Sequence, residues 1–140
     1  MVEYETFNFG VAGSSPAGPT RKNFMPKLKI EEVARITYEA CRAIRIAQGK
    51  NDRLHWEDVS EFYRNLHIEG VKWALNHPTT DPIDAHDKWM SFMIEAEKQN
   101  DENVKHLMVP FQELDLYEQA KDVLFMQIVN GLRDYTDVNS

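Results

Sequence analysis

In the stretch IEEVARITYEACRAIRIAQG, residues 30–49, the apolar side chains keep a single rhythm. Ile30, Val33, Ala34, Thr37, Cys41, Ile44 and Ala47 fall on one stripe at about 100° per residue, the signature of an α-helix with one buried face. Gly49 supplies the stop, because glycine tolerates the left-handed backbone that closes many helices. Outward from this element the pattern stays helical. After the polar connection KNDR, a second helix is expected from near Trp56–Glu57 to Asn76, with Val59, Phe62, Tyr63, Leu66, Val71 and Leu75 facing inward and Pro78 ending it.

Asp81 followed by Pro82 marks a third start: a carboxylate can cap free amides, and proline is tolerated at the first helical position. The helix then carries IDAHDKWMSFMIEAEKQ, with Asp84 and Asp87 where the helix dipole favours negative charge. His86 and Trp89 lie three residues apart on one face, with His86 expected to hydrogen-bond a neighbouring segment over Trp89 or to border a ligand. QNDENVKHLMVPF is polar and then extended, since Pro110 biases Val109 away from helix. A last helix, LYEQAKDVLFMQIVNGLRDY, presents Leu116, Ala120, Val123, Leu124 and Ile128 as its apolar side. The expectation is an all-α domain of about four helices over residues 28–140, with no sheet.

Residues 1–27 include GVAGSSPAGPT, whose Gly, Ser and Pro disfavour helix and strand interiors and read as a flexible or docking arm. Tyr4, Phe7 and Phe9 within it would dock on the domain or on a second copy of it, the latter giving a homo-oligomer. At 140 residues, 42% hydrophobic and 28% charged, the chain has the composition of one globular domain. A formal net charge of −7 argues against nucleic acid or an anionic membrane as partner. No run approaches the roughly 18 apolar residues that span a bilayer, and no secretory signal is recognised. The lone Cys41 excludes an internal disulfide framework, so the cytoplasm is the expected compartment.

The segment VARITYEACRAIRIAQGKNDRLHWEDVSEFYRNLHIEGVKWALNHP, followed by TTDPIDAHDKW and later LMVPFQEL, resembles the ryanodine-receptor repeat (RyR) domain. That domain occurs as tandem copies in calcium-release channels and as small stand-alone proteins in bacteria and bacteriophages. The resemblance spans about Ile30 to Val129. It rests on an ordered set: Glu39 and Arg42 in the first helix, Trp56 after a polar turn, Gly70-Val71, Pro78, His86 with Trp89, and Val109-Pro110-Phe111 with Leu114. Tyr38 and Cys41 stand where family members often carry His and Asn, and Lys105-His106 approximates the family's Lys–x–His–Pro element. The resemblance implies a helical module without catalysis that binds adenine-nucleotide-derived molecules, and a phage-borne relative would sequester such a signal against host defence.

The residues themselves offer a site. Arg35, Tyr38, Arg42 and Arg45 share one flank of the first helix, and guanidinium groups match phosphate oxygens while a ring stacks on a base. The expected capture uses Arg42, helped by Arg35 or Lys105, on phosphate, with Tyr38, Trp56, His86 or Trp89 against the ring. The bland alternative is a solvated charged face balanced by Glu31, Glu32 and Glu39, with tryptophans in the core. Two rival functions remain: a protein-interaction module, and a magnesium-dependent nucleotide pyrophosphohydrolase. For the latter, only the sparse pairs Asp58/Glu61 and Glu118/Asp122 are available. His55, His67, His77, His86 and His106 are scattered, Cys41 lies on the apolar stripe, and no nucleophile motif occurs, so no metal, cofactor or catalytic residue is expected.

Overall fold

The computed structural model describes residues 26–78 and 81–140. The arm, with Tyr4, Phe7 and Phe9, falls outside them but for its last two residues. Four helices form the architecture: α1 (Ile30–Ala47), α2 (Glu61–Leu75), α3 (Pro82–Glu95) and α4 (Leu116–Leu132). The expectation of no sheet needs one correction. Two-residue strands β1 (Leu28–Lys29) and β2 (Thr136–Asp137) pair in parallel, Leu28 opposite Thr136 and Lys29 opposite Asp137. Strands so short contain no alternation for a sequence pattern to show. Their pairing sets the end of the chain beside the start of α1, where the Ile30 N–H donates to Ser140 Oγ at 2.8 Å.

Each helix begins and ends for a local reason. At the start of α1, Glu32 Oε1 accepts the Lys29 N–H at 2.9 Å, satisfying one of the free amides there. The other end closes in a Schellman motif: Gly49 takes φ 82°, the Lys50 N–H reaches Arg45 O at 3.1 Å, and the Gly49 N–H reaches Ile46 O at 2.9 Å. The second helix starts later than its apolar pattern indicates. Trp56–Asp58 make a single 3₁₀ turn, Val59 is extended, and Ser60 caps α2 by accepting the Tyr63 N–H at 3.4 Å. Asp81 caps α3 and Asp115 caps α4 in the same way, at 3.0 and 2.9 Å. The third helix stops at Glu95, short of Gln99. Glu97 closes it at φ 57°, with Lys98 N–H on Met93 O at 2.8 Å, the same motif without the customary glycine.

The core joins three helices. Ile30, Val33, Ala34 and Tyr38 of α1 meet Val71, Ala74 and Leu75 of α2 and Met126 and Val129 of α4, with Trp56 inserted from the 3₁₀ turn. Met93 of α3 is buried as well, but outside this cluster. Two expected faces are corrected. Phe62 of α2 is exposed, and on α4 Leu116 is 81% and Val123 43% exposed while Tyr117, Met126 and Val129 are buried. The run Val123–Leu124–Phe125–Met126 is apolar right round the helix, so periodicity alone leaves its phase open. Ala47 likewise ends in solvent, beyond the reach of the α1 stripe.

Arg133, in the turn after α4, reaches across to the end of α2. Its guanidinium donates to the carbonyls of Leu75 and Ala74, the latter at 3.2 Å, and to Asn130 Oδ1 at 2.7 Å. It thereby satisfies terminal carbonyls and places positive charge at the negative end of the α2 dipole. We expect Arg133→Ala to destabilise the fold by about 1–3 kcal/mol in urea denaturation. A loss under ~0.5 kcal/mol would show that water replaces the guanidinium without cost.

Candidate ligand-binding cavity

Between the α1–α2 side and α3 lies a cavity of about 520 Å³. Thr37, Tyr38 and Cys41 line it from α1, Arg53 and Leu54 from the following loop, and Tyr63, Leu66, His67 and Trp73 from α2. The far wall is His86, Lys88, Trp89 and Phe92 of α3 with Glu118, Lys121, Asp122 and Phe125 of α4; Val104, Leu107 and Leu114 come from the connection between them. Aromatic rings stand on the walls from all four helices, and the volume falls within the ~300–1,000 Å³ of ordinary small-molecule sites.

The loop is positioned by α1. Tyr38 OH donates to Leu54 O at 2.5 Å, Arg42 Nε donates to Arg53 O at 3.2 Å, and Glu39 Oε2 accepts the Trp56 N–H at 2.8 Å. This holds the Arg53 guanidinium over the Tyr38 ring, 5.8 Å from its centroid. Tyr38, Trp56 and His67 form one aromatic cluster, the Tyr38 and His67 centroids standing 5.3 Å apart at 71°.

The expected site residues divide between the cavity and the frame around it. Tyr38, His86 and Trp89 line the cavity. Arg42 does not: its side chain is 13% exposed and holds Arg53 O, Glu39 and His55 Nε2, the last at 3.1 Å. Arg35 pairs with Glu57 at 2.7 Å, both 58% exposed, and Lys105 pairs with Glu102 on the surface. Trp56 is 5% exposed in the core. The flank of α1 thus braces the loop, and the cations brought to the cavity are Arg53, Lys88 and Lys121. Asp52 is held by Arg45 through two bonds of 3.2 and 3.0 Å, and Glu118 by Lys121 at 2.7 Å. Arg53 and Lys88 pair with no carboxylate among the described residues. With those pairs neutralised, the lining carries two free cations against the single carboxylate of Asp122.

Two titratable groups of the lining, His67 and Asp122, were not among the expected ligand-binding residues, although Asp122 was named with Glu118 as a carboxylate pair. His67 makes no hydrogen bond to any described residue; burial, then the charges of Arg53 and Lys121, lowers its pKa from 6.5 to about 4. Asp122 also accepts no hydrogen bond, and burial pushes its carboxyl up to about 6 against the opposing pull of His86 and Lys121. A signal for both was available in the spacing. His67 is four and seven residues before the buried Val71 and Ala74, and Asp122 stands in the same relation to Met126 and Val129. Arg53, in a loop, had no such signal.

Among the described residues no group of three or more His, Cys, Asp or Glu is placed to hold a metal, and no helix is long and apolar enough to cross a membrane. The chain matches no protein-family model, no curated protein and no solved structure.

The two groups act in opposite directions on stability. Neutral His67 contributes stability above its unfolded pKa of 6.5, and that contribution is lost as pH falls toward 4. Protonated Asp122 contributes below 3.8, and its contribution is lost as pH rises through about 6. We expect Asp122→Asn to be more stable than the parent chain by about 1–2 kcal/mol at neutral pH, the difference vanishing toward pH 4. Urea denaturation of both proteins across that range checks this; a difference that does not change with pH overturns it.

Proposed function

We propose that this chain is a RyR-like binding module that captures a small phosphorylated, nucleotide-like molecule and performs no chemistry on it. The observation that carries the reading is Arg53, a guanidinium in no ion pair with a described carboxylate, standing over Tyr38 at a nucleotide-sized cavity with rings on its walls. A free guanidinium can take phosphate oxygens in pairs, and neighbouring rings offer stacking area to a base. His67 supports the same assignment, because Arg53 and Lys121 both direct positive potential at it and its ring nitrogens have no described partner. A phosphate there would meet a hydrogen-bond donor at one nitrogen of the neutral ring. The resemblance to RyR repeats makes adenine nucleotides and their derivatives the first ligands to try. Sequestration of a nucleotide signal, as in phage counter-defence, is the biological role this chemistry would serve.

A protein-interaction role has one observation in its favour: Leu116 and Val123 of α4, seven residues apart and so on one face, are both exposed. That face is separate from the cavity, so the two roles are compatible.

Calorimetry with adenine nucleotides, ADP-ribose and cyclic dinucleotides, joined to native mass spectrometry of the purified chain, tests the reading. We expect at least one of these molecules to bind, and Arg53→Ala to weaken it by about ten-fold or more, the loss of one charge-assisted contact. Arg42→Ala acts on the loop and lowers thermal stability along with affinity. Absence of heat with every nucleotide and of any retained small molecule would remove the proposal.

A further inference from the structure

Resting on the reading above, one side chain of the cavity determines how the negative charge of the ligand is met. His67 projects from the middle of α2 onto the cavity, with Tyr38 and Trp56 standing 5.3 and 6.1 Å from its ring centroid. These neighbours fix the ring through contact alone. Neither of its nitrogens bonds to a described residue, and neither is sealed off, since among the described residues the buried polar side-chain atom that lacks a partner is Gln99 Oε1. The ring therefore offers both nitrogens to the hollow. Burial, then the charges of Arg53 and Lys121, keeps it neutral in the empty cavity, with a pKa of about 4. A neutral imidazole carries one N–H and one lone pair, so it meets an anion with a single donor.

We propose that His67 takes up a proton as the ligand's phosphate enters, becoming a third cation beside Arg53 and Lys121, so that capture tightens in a more acidic medium. The two cations that oppose protonation in the empty cavity, Arg53 above all, are those whose field a phosphate would cancel, and the phosphate then adds its own attraction. Burial opposes the change less as well. It penalises a lone imidazolium heavily and a paired, hydrogen-bonded one much less. An opposite charge close by moves a pKa by roughly one to three units, which carries this ring from about 4 toward the range of an ordinary histidine. The proton comes from solvent and ends on the nitrogen that held the lone pair. Around the hollow, burial pushes the Tyr38 hydroxyl and the Cys41 thiol of α1 up, so both stay protonated, while Asp52 and Glu118 are held by Arg45 and Lys121. His86 and Lys88 face it from α3, and Asp122, its carboxyl pushed up to about 6, from α4. Asp122 too would gain a proton beside an anion, so His67 has to be read by itself.

The experiment is nitrogen-15 NMR of the full chain over about pH 5–8, where histidine ring signals report protonation one residue at a time. Spectra are recorded without ligand and with AMP, ADP-ribose or cyclic di-AMP in excess. His67→Asn or His67→Gln identifies the signals of residue 67 by their loss. We expect the ring to stay neutral across this range in the free chain, and its half-protonation to rise by about two pH units or more in the complex. By linkage that rise is the tightening itself, about ten-fold in affinity for each unit once the ring is protonated in both states. A ring that remains neutral at about pH 5 with nucleotide bound overturns this inference and leaves nucleotide capture standing. A ring already protonated at about pH 6 in the free chain does the same. Binding of none of the three overturns both.

Discussion

The grip of α1 on the loop that follows it is the constraint on which the rest of the molecule depends. Three side chains within two turns of the helix, Tyr38, Glu39 and Arg42, take hold of Leu54, Trp56 and Arg53 through their backbones. Glu39 matters most, because one oxygen receives the Trp56 N–H and the other meets Arg42. A carboxylate shared in this way ties the helix to the turn and orients the cation beside it. Once Trp56 is seated in the core, α2 can begin only after Val59 and Ser60. Once Arg53 is held over Tyr38, the cavity has its cationic edge.

Arg42 illustrates how position on a helix governs what a charged group can do. Its guanidinium has one acceptor on the loop backbone, one on Glu39 and a contact with His55. Drawing it toward a phosphate would break these bonds in a half-enclosed site, where lost partners are costly. Arg53 has no such commitments. Its backbone carbonyl is spoken for, but its side chain makes no hydrogen bond or ion pair to any described residue and lies over the Tyr38 ring, so Arg42 braces the loop while Arg53 leaves its charge at the cavity.

Legibility in the sequence followed the strength of each local signal. The α1 stripe, the Gly49 stop and the Asp81–Pro82 start rest on backbone chemistry that neighbours in sequence determine, and each is found in place. The start of α2 was misplaced because Trp56 and Val59 continue an apolar rhythm without continuing the helix. The face of α4 was misjudged because four consecutive apolar residues offer two stripes, and only packing against α1 and α2 chooses between them. For the cavity, Tyr38, His86 and Trp89 were legible as aromatic or polar groups on helix faces. Arg53 was not, since a loop has no periodicity and its placement depends on hydrogen bonds from residues 11 to 16 positions away. His67 and Asp122 had a readable phase, but phase shows only that a side chain points inward and not whether inward means core or hollow.

That ambiguity is itself informative about why the hollow exists. Leucine at positions 67 and 122 would extend the buried stripes of α2 and α4 toward each other and let α3 close on them, gaining apolar burial. The chain instead keeps an imidazole whose protonation is suppressed and a carboxyl whose ionisation is resisted, both by burial. Neither is compensated by a hydrogen bond from the described protein. Both side chains are half-buried, and Asp122, 26% exposed, has the His86 ring at 3.8 Å, so contact with solvent limits the cost of leaving them without a hydrogen bond from the protein. Rings on every wall keep that space from collapsing, because side chains so large and stiff cannot fold into a gap of their own making.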